Sequence, residues 1–129
     1  MLCRLRVKNI ALVENLSVDL HPGLNIITGE TGAGKSILIG ALSLLLGERA
    51  DKSMIRTGED ACGAEALFSL ADTADVDAVL EEAGAPLCEE GQLVIRRIVR
   101  AAGSGQTMVN DSPVTLSVLR QLGDLLVDM

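Results

Sequence analysis

The sequence predicts an α/β fold in which an antiparallel β portion lies beside a strand–loop–helix core. Three observations predict it. Cys3, Leu5 and Val7 alternate with Arg4, Arg6 and Lys8, the period of a half-buried strand with a basic outer face. Residues 24–28 form a short, nearly all-apolar run, suited to a strand covered on both faces, and a glycine-rich loop and a helical stretch follow at once. Residues 93–99 are rich in β-branched side chains and read as a further strand.

The remaining elements follow in order. Leu16, Val18 and Leu20 alternate with Ser17 and Asp19, giving a second strand joined to the first through residues 9–14. His21-Pro22-Gly23 signals a turn. Residues 35–46 read as a helix that Gly47 stops. Residues 48–63 read as an irregular polar connection, and residues 64–70 as a strand. Residues 75–83 suggest a short helix, capped by Thr73 or Asp75 and closed by Gly84-Ala85-Pro86. Residues 107–109 are a short strand, and Asn110-Asp111 is a hairpin-type turn. Ser112-Pro113 leads into a helix over residues 115–122 that Gly123 ends, and residues 125–127 begin another buried strand. A chain stopping inside such a strand suggests a piece of a longer protein.

Composition narrows the function. With 129 residues there is room for one modest domain, and 48% hydrophobic residues supply a core. Phe68 is the only aromatic, so base stacking on aromatic platforms is excluded as a mode of single-strand binding. The formal net charge of -7 disfavours non-specific attraction to DNA phosphates, leaving only a local basic patch for that role. Cys3, Cys62 and Cys88 are far apart with no CxxC pair, which argues against a disulfide framework or zinc site. No signal peptide pattern or membrane-length apolar run is present, so a soluble, cytoplasmic protein without a membrane partner is expected.

The chemistry lies in Gly29-Glu30-Thr31-Gly32-Ala33-Gly34-Lys35-Ser36, which matches the phosphate-loop pattern G-x-x-x-x-G-K-[ST] at every fixed position. Glycines allow successive N–H groups to converge on one point at a helix N-terminus, making an anion cradle. Lys35 is expected to reach the β- and γ-phosphates and Ser36 to ligate Mg²⁺. The flanking apolar strand and helix are the context that a chance glycine-rich turn would lack. The dinucleotide spacing G-x-G-x-x-G is not formed, which disfavours an oxidoreductase. Hydrolysis also requires a second carboxylate near the metal and a group orienting water. Asp128, following Leu125-Leu126-Val127, is a candidate carboxylate, and Asp19 and Asp72 are weaker ones.

The residues then become recognisable. Residues 5–9, Ala11-Leu12-Val13-Glu14, the stretch from Gly23 through the phosphate loop to Ile39, and Leu44-Leu45-Leu46-Gly47-Glu48-Arg49-Ala50 closely resemble the N-terminus of the bacterial RecN family of DNA repair proteins, an SMC-like branch of the ABC-type ATPases. Ile55-Arg56-Thr57-Gly58, Arg96-Arg97 and residues 116–128 fit the same family. The resemblance implies that residues 1–129 are the N-terminal portion of a single P-loop ATPase head, with the coiled coil and C-terminal half of the head absent. It implies ATP as ligand and ATP-driven engagement with a second head. It also implies recombinational repair of DNA double-strand breaks, with DNA held through the full-length protein near the nucleoid. Signature, glutamine-loop and Walker B residues are absent, so this segment alone is expected to be inactive although the full-length protein is an ATP hydrolase. On this reading residues 125–127 lead into the glutamine loop, which weakens the case for Asp128.

Other cations carry two readings each. Arg4, Arg6 and Lys8 are either a solvated face or part of a DNA-contacting surface. Arg49 and Arg56 either meet a nucleotide or DNA phosphate or simply lie at the surface. Arg96 and Arg97 point to opposite faces of a strand and are read as mainly structural, and Lys8 and Asn9 lie where related heads approach adenine. Two other enzymes compete. A small-molecule P-loop kinase would need lid arginines, which the acidic residues 71–91 lack, and a transporter-type ABC ATPase is favoured by an adenine-stacking aromatic, absent from residues 1–28. A non-catalytic fold fragment is the remaining alternative.

Overall fold

The computed structural model describes residues 2–19 and 32–127, with backbone alone for residues 32–36 and 127. The expected turn at His21-Pro22-Gly23, the strand over residues 24–28, Gly29, Glu30, Thr31 and Asp128 lie outside the described residues.

Six antiparallel strands form one sheet in the order β2-β1-β3-β4-β5-β6. They are β1 (Leu2–Ile10), β2 (Val13–Asp19), β3 (Ala61–Ser69), β4 (Gln92–Arg100), β5 (Gln106–Val109) and β6 (Ser112–Pro113). Among the described residues three α-helices accompany them: α1 (Gly32–Leu45), α2 (Ala74–Ala83) and α3 (Leu116–Val127). Alternation sorts the strand residues. Leu5, Val7, Ala64, Ala66, Phe68, Leu93 and Ile95 are buried on one face together with Ala41, Leu44 and Leu45 of α1. The opposite face carries Arg6, Glu65 and Arg96 in one cross-strand row and Lys8, Gly63 and Ile98 in the next.

The first hairpin is tighter than residues 9–14 suggest. Asn9 and Ala11 adopt positive φ, so the strands reach Ile10 and restart at Val13 around a two-residue turn. Its end is pinned by Ala11 N–H to Met54 O and Arg56 N–H to Asn9 O, both 2.8 Å. The connection after α1 is therefore partly ordered. It contains a 3₁₀ turn, Lys52–Met54, whose N-cap Asp51 accepts a hydrogen bond from Ser53 N.

α2 begins after Thr73 as expected, but Thr73 does not cap through its side chain. Asp72 accepts from Ala74 N, while Thr73 Oγ1 donates to Asp77. Asp77 also accepts from Cys88 N at 2.9 Å. These bonds hold its carboxyl below the ordinary 3.8, the Cys88 amide contributing most. A depressed carboxylate stabilises the fold above its unfolded value and loses that contribution as pH falls through the folded one. Acid unfolding should therefore deepen below about pH 3.8, and Asp77→Asn should flatten that limb in pH-dependent melts; an unchanged limb would count against it.

The chain's end departs from expectation. Residues 125–127 are not a strand but the last turn of α3, which runs through Gly123 to Val127. Gly123 is not a terminator. A Cβ there would stand 2.5 Å from Leu46 O, so glycine permits close approach of α3 to the end of α1. Leu119 and Leu122 are buried and Leu126 packs against the core, the spacing of one helical face.

Candidate functional site: a helix N-terminus and a basic sheet face

α1 begins at Gly32, three residues before the helix over residues 35–46 that the sequence suggests. Gly32, Ala33, Gly34, Lys35 and Ser36 therefore all lie on the helical backbone of its first turns. The first four amides of a helix have no intrahelical partner and carry the positive end of its dipole. No acidic side chain occupies this first turn to compete for them. Such amides are suited to meeting an anion. The side chains of Lys35 and Ser36 are outside the described residues.

The opposite end of α1 has no basic residue in its last turn, so its own sequence leaves the carbonyls uncompensated. Other elements supply the charge. Arg97, 8% exposed on the inner face of β4, donates through Nη1 to Leu44 O at 2.9 Å and to Glu48 O. Arg120 of α3 donates through Nε to Gly47 O at 3.2 Å. Burial, and secondarily the nearby Arg120 charge, pull the Arg97 pKa below the usual arginine value, yet a guanidinium stays charged. Gly47, expected as the helix stop, has φ of 97°, and a Cβ there would meet the Arg120 backbone N at 2.8 Å. Sequence reasoning placed Arg96 and Arg97 on opposite faces but did not say which is buried, and it missed the carbonyls Arg97 serves.

Arg4, Arg6 and Lys8 do lie on one face. They are not equivalent. Arg4 Nε is 2.8 Å from Asp19 Oδ1 across the β1–β2 pair. Arg6 and Lys8 are exposed, and among the described residues no ion pair engages either. Arg96 joins them from β4, with Nη2 at 2.7 Å from Asp111. Its Nε is 3.3 Å from Glu65 Oε2 but lacks the angle of a hydrogen bond. Between them Gly63 presents no side chain, leaving an open depression of about 530 Å³ edged by Arg6, Lys8, Asn15, Ser17, Arg96 and Ile98. Arg49 is exposed after α1. Arg56 is half-buried, 3.8 Å from Glu59, and its backbone is tied to the end of β1. Among the described residues no helix is long and apolar enough to cross a membrane.

Comparison with known proteins gives this geometry its context. A family model described as an AAA domain matches residues 4–108. The DNA repair protein RecN of Vibrio cholerae is 43% identical over 129 residues, spanning all of this chain and 23% of that protein. RecN of Bacillus subtilis is 42% identical over the same length, 22% of its own. The chain thus spans less than a quarter of the curated relatives it matches. Among solved structures, one from work on ATP-driven dimerisation and DNA-stimulated activation of SMC ATPases superposes with a TM-score of 0.72 at 20% identity, covering 98% of this chain and 77% of that one. The SMC head domain from Thermotoga maritima gives 0.63 at 18% identity, over 94% and 41%. These likenesses show the fold, an N-terminal P-loop ATPase head portion. The chain belongs to the AAA domain family, and over its whole length it resembles the N-terminal part of the RecN proteins.

Proposed function

We propose that this chain is the ATP-binding N-terminal portion of a RecN-type head, acting in recombinational repair of DNA double-strand breaks within a longer protein. The observation that carries the reading is the start of α1 at Gly32, inside the motif Gly29–Ser36, with no acid in its first turn. The residue set fits a magnesium nucleotide: a helix end free for phosphate, a lysine, and a serine hydroxyl at the motif's last position. Backbone amides of residues 29–36 would hold the phosphates, Lys35 would bind the β- and γ-phosphates, and Ser36 would hold Mg²⁺. The metal would supply charge neutralisation on the phosphate oxygens. Residues 1–129 form one part of a single head; the coiled coil and the groups that orient water belong to the rest of the protein. ATP then joins this head to a second one, and hydrolysis releases them. The setting is cytoplasmic, with nucleoid association during DNA damage. A small-molecule kinase or transporter-type ATPase is not favoured by the family match or by the SMC-type neighbours.

DNA contact is assigned to the outer sheet face, with Arg6 and Lys8, which among the described residues form no ion pair, and Arg96 beside them; Glu65 stands between Arg6 and Arg96 in the same row. Arg4 contributes less because Asp19 holds it. Arg49 and Arg56 remain phosphate candidates next to α1. The test is calorimetry of the complete protein with ATP and Mg²⁺, alongside turnover assays of the isolated segment. Binding by the complete protein and no turnover by the segment are expected. Turnover by the segment, abolished by Lys35→Ala, would refute the division of labour.

A further inference from the structure

The grip on the far end of α1 is built from three contacts supplied by two elements, β4 and α3. Arg97 reaches it from the sheet, Arg120 reaches Gly47 O from α3, and Gly123 brings the α3 backbone against Leu46 O. Cations at a helix's C-terminal carbonyls stabilise its dipole, and contacts from β4 and α3 together oppose axial displacement of α1. The other end of the same 14-residue helix carries residues 32–36 of the phosphate motif. Resting on the nucleotide reading above, we infer that Arg97 and Arg120 are positioning residues for phosphate binding, and that α3 sets the axial seat of α1 through Arg120.

The division between the two is testable because their burial differs. Arg97 is buried, so its replacement disturbs the core. Arg120 is exposed, and its aliphatic stem can be kept while the charge is removed. The experiment uses the complete protein and measures ATP affinity by calorimetry, with thermal melting beside it, for the parent, Arg120→Met and Arg120→Lys. Val109→Ala is the control: it thins the core at β5, far in sequence from either end of α1. Arg120→Met should weaken ATP by about threefold to tenfold, and Arg120→Lys should recover most of that loss. Val109→Ala should lower the melting temperature and leave affinity alone. Unchanged affinity in folded Arg120→Met would overturn the inference. So would a loss shared equally by Val109→Ala, which would mark general destabilisation. Failure of the parent to bind ATP would instead remove the nucleotide reading, and this inference with it.

Discussion

Lys35→Ala should reduce ATP affinity of the complete protein on the order of 10- to 100-fold, with hydrolysis falling to background. The size follows from chemistry. A lysine donating to phosphate makes a charge-assisted hydrogen bond, for which about 1.5–3 kcal/mol is usual, and about 1.4 kcal/mol is tenfold in affinity. Alanine leaves the backbone amides of the cradle in place, so some binding should persist. Fluorescent-nucleotide titration and phosphate-release assays read the two effects separately. Lys35→Arg should not rescue them, because a planar fork cannot replace a compact ammonium at the head of a helix. Wild-type affinity in Lys35→Ala would place the nucleotide elsewhere.

Replacing both Arg6 and Lys8 by alanine should weaken DNA binding on the order of 10- to 100-fold near 0.1 M salt and shallow the salt slope by about 2. Each phosphate contact contributes about 0.9 to that slope through counterion release. Arg4→Ala should change the slope far less, since Asp19 already holds that guanidinium at 2.8 Å. This contrast separates a built surface from general charge, because all three substitutions alter net charge in the same direction. A slope that fell equally for Arg4 and for Arg6 would point to bulk electrostatics. An unchanged slope in the double variant would move the DNA surface off this face.

Much of this was legible in the sequence because it is written in local periods. The alternation at residues 3–8, the β-branched run of β4 and the positive-φ pair Asn110-Asp111 each need only neighbours to be read. What failed needed distant partners. The carbonyls that Arg97 serves are 53 and 49 residues away in the chain. Gly123 looked like punctuation because a glycine after a helical run usually is. Its reason for being glycine is Leu46 O, on another helix. Treating it as a stop turned residues 125–127 into a strand, although Leu119, Leu122 and Leu126 already carried the helical spacing. Within the site, the motif itself was plain, whereas the difference between Arg4 and its neighbours depended on which acid the second strand brings across.

The strand order has a consequence in time. From β3 to β6 every strand pairs with the next in sequence, β4 to β6 over short loops and β3 to β4 across the connection that carries α2. Among the described strands the β1–β3 pairing spans the longest interval, and α1 lies within it. Loop closure over short distances is fast, and the long pairing must wait for β3. During synthesis the β1–β2 hairpin can form first, and the arrival of β3 then draws the sheet together beneath α1. Arg97 follows on β4 and Arg120 later still, so the helix that opens the phosphate cradle is seated from its far end only after most of the sheet exists.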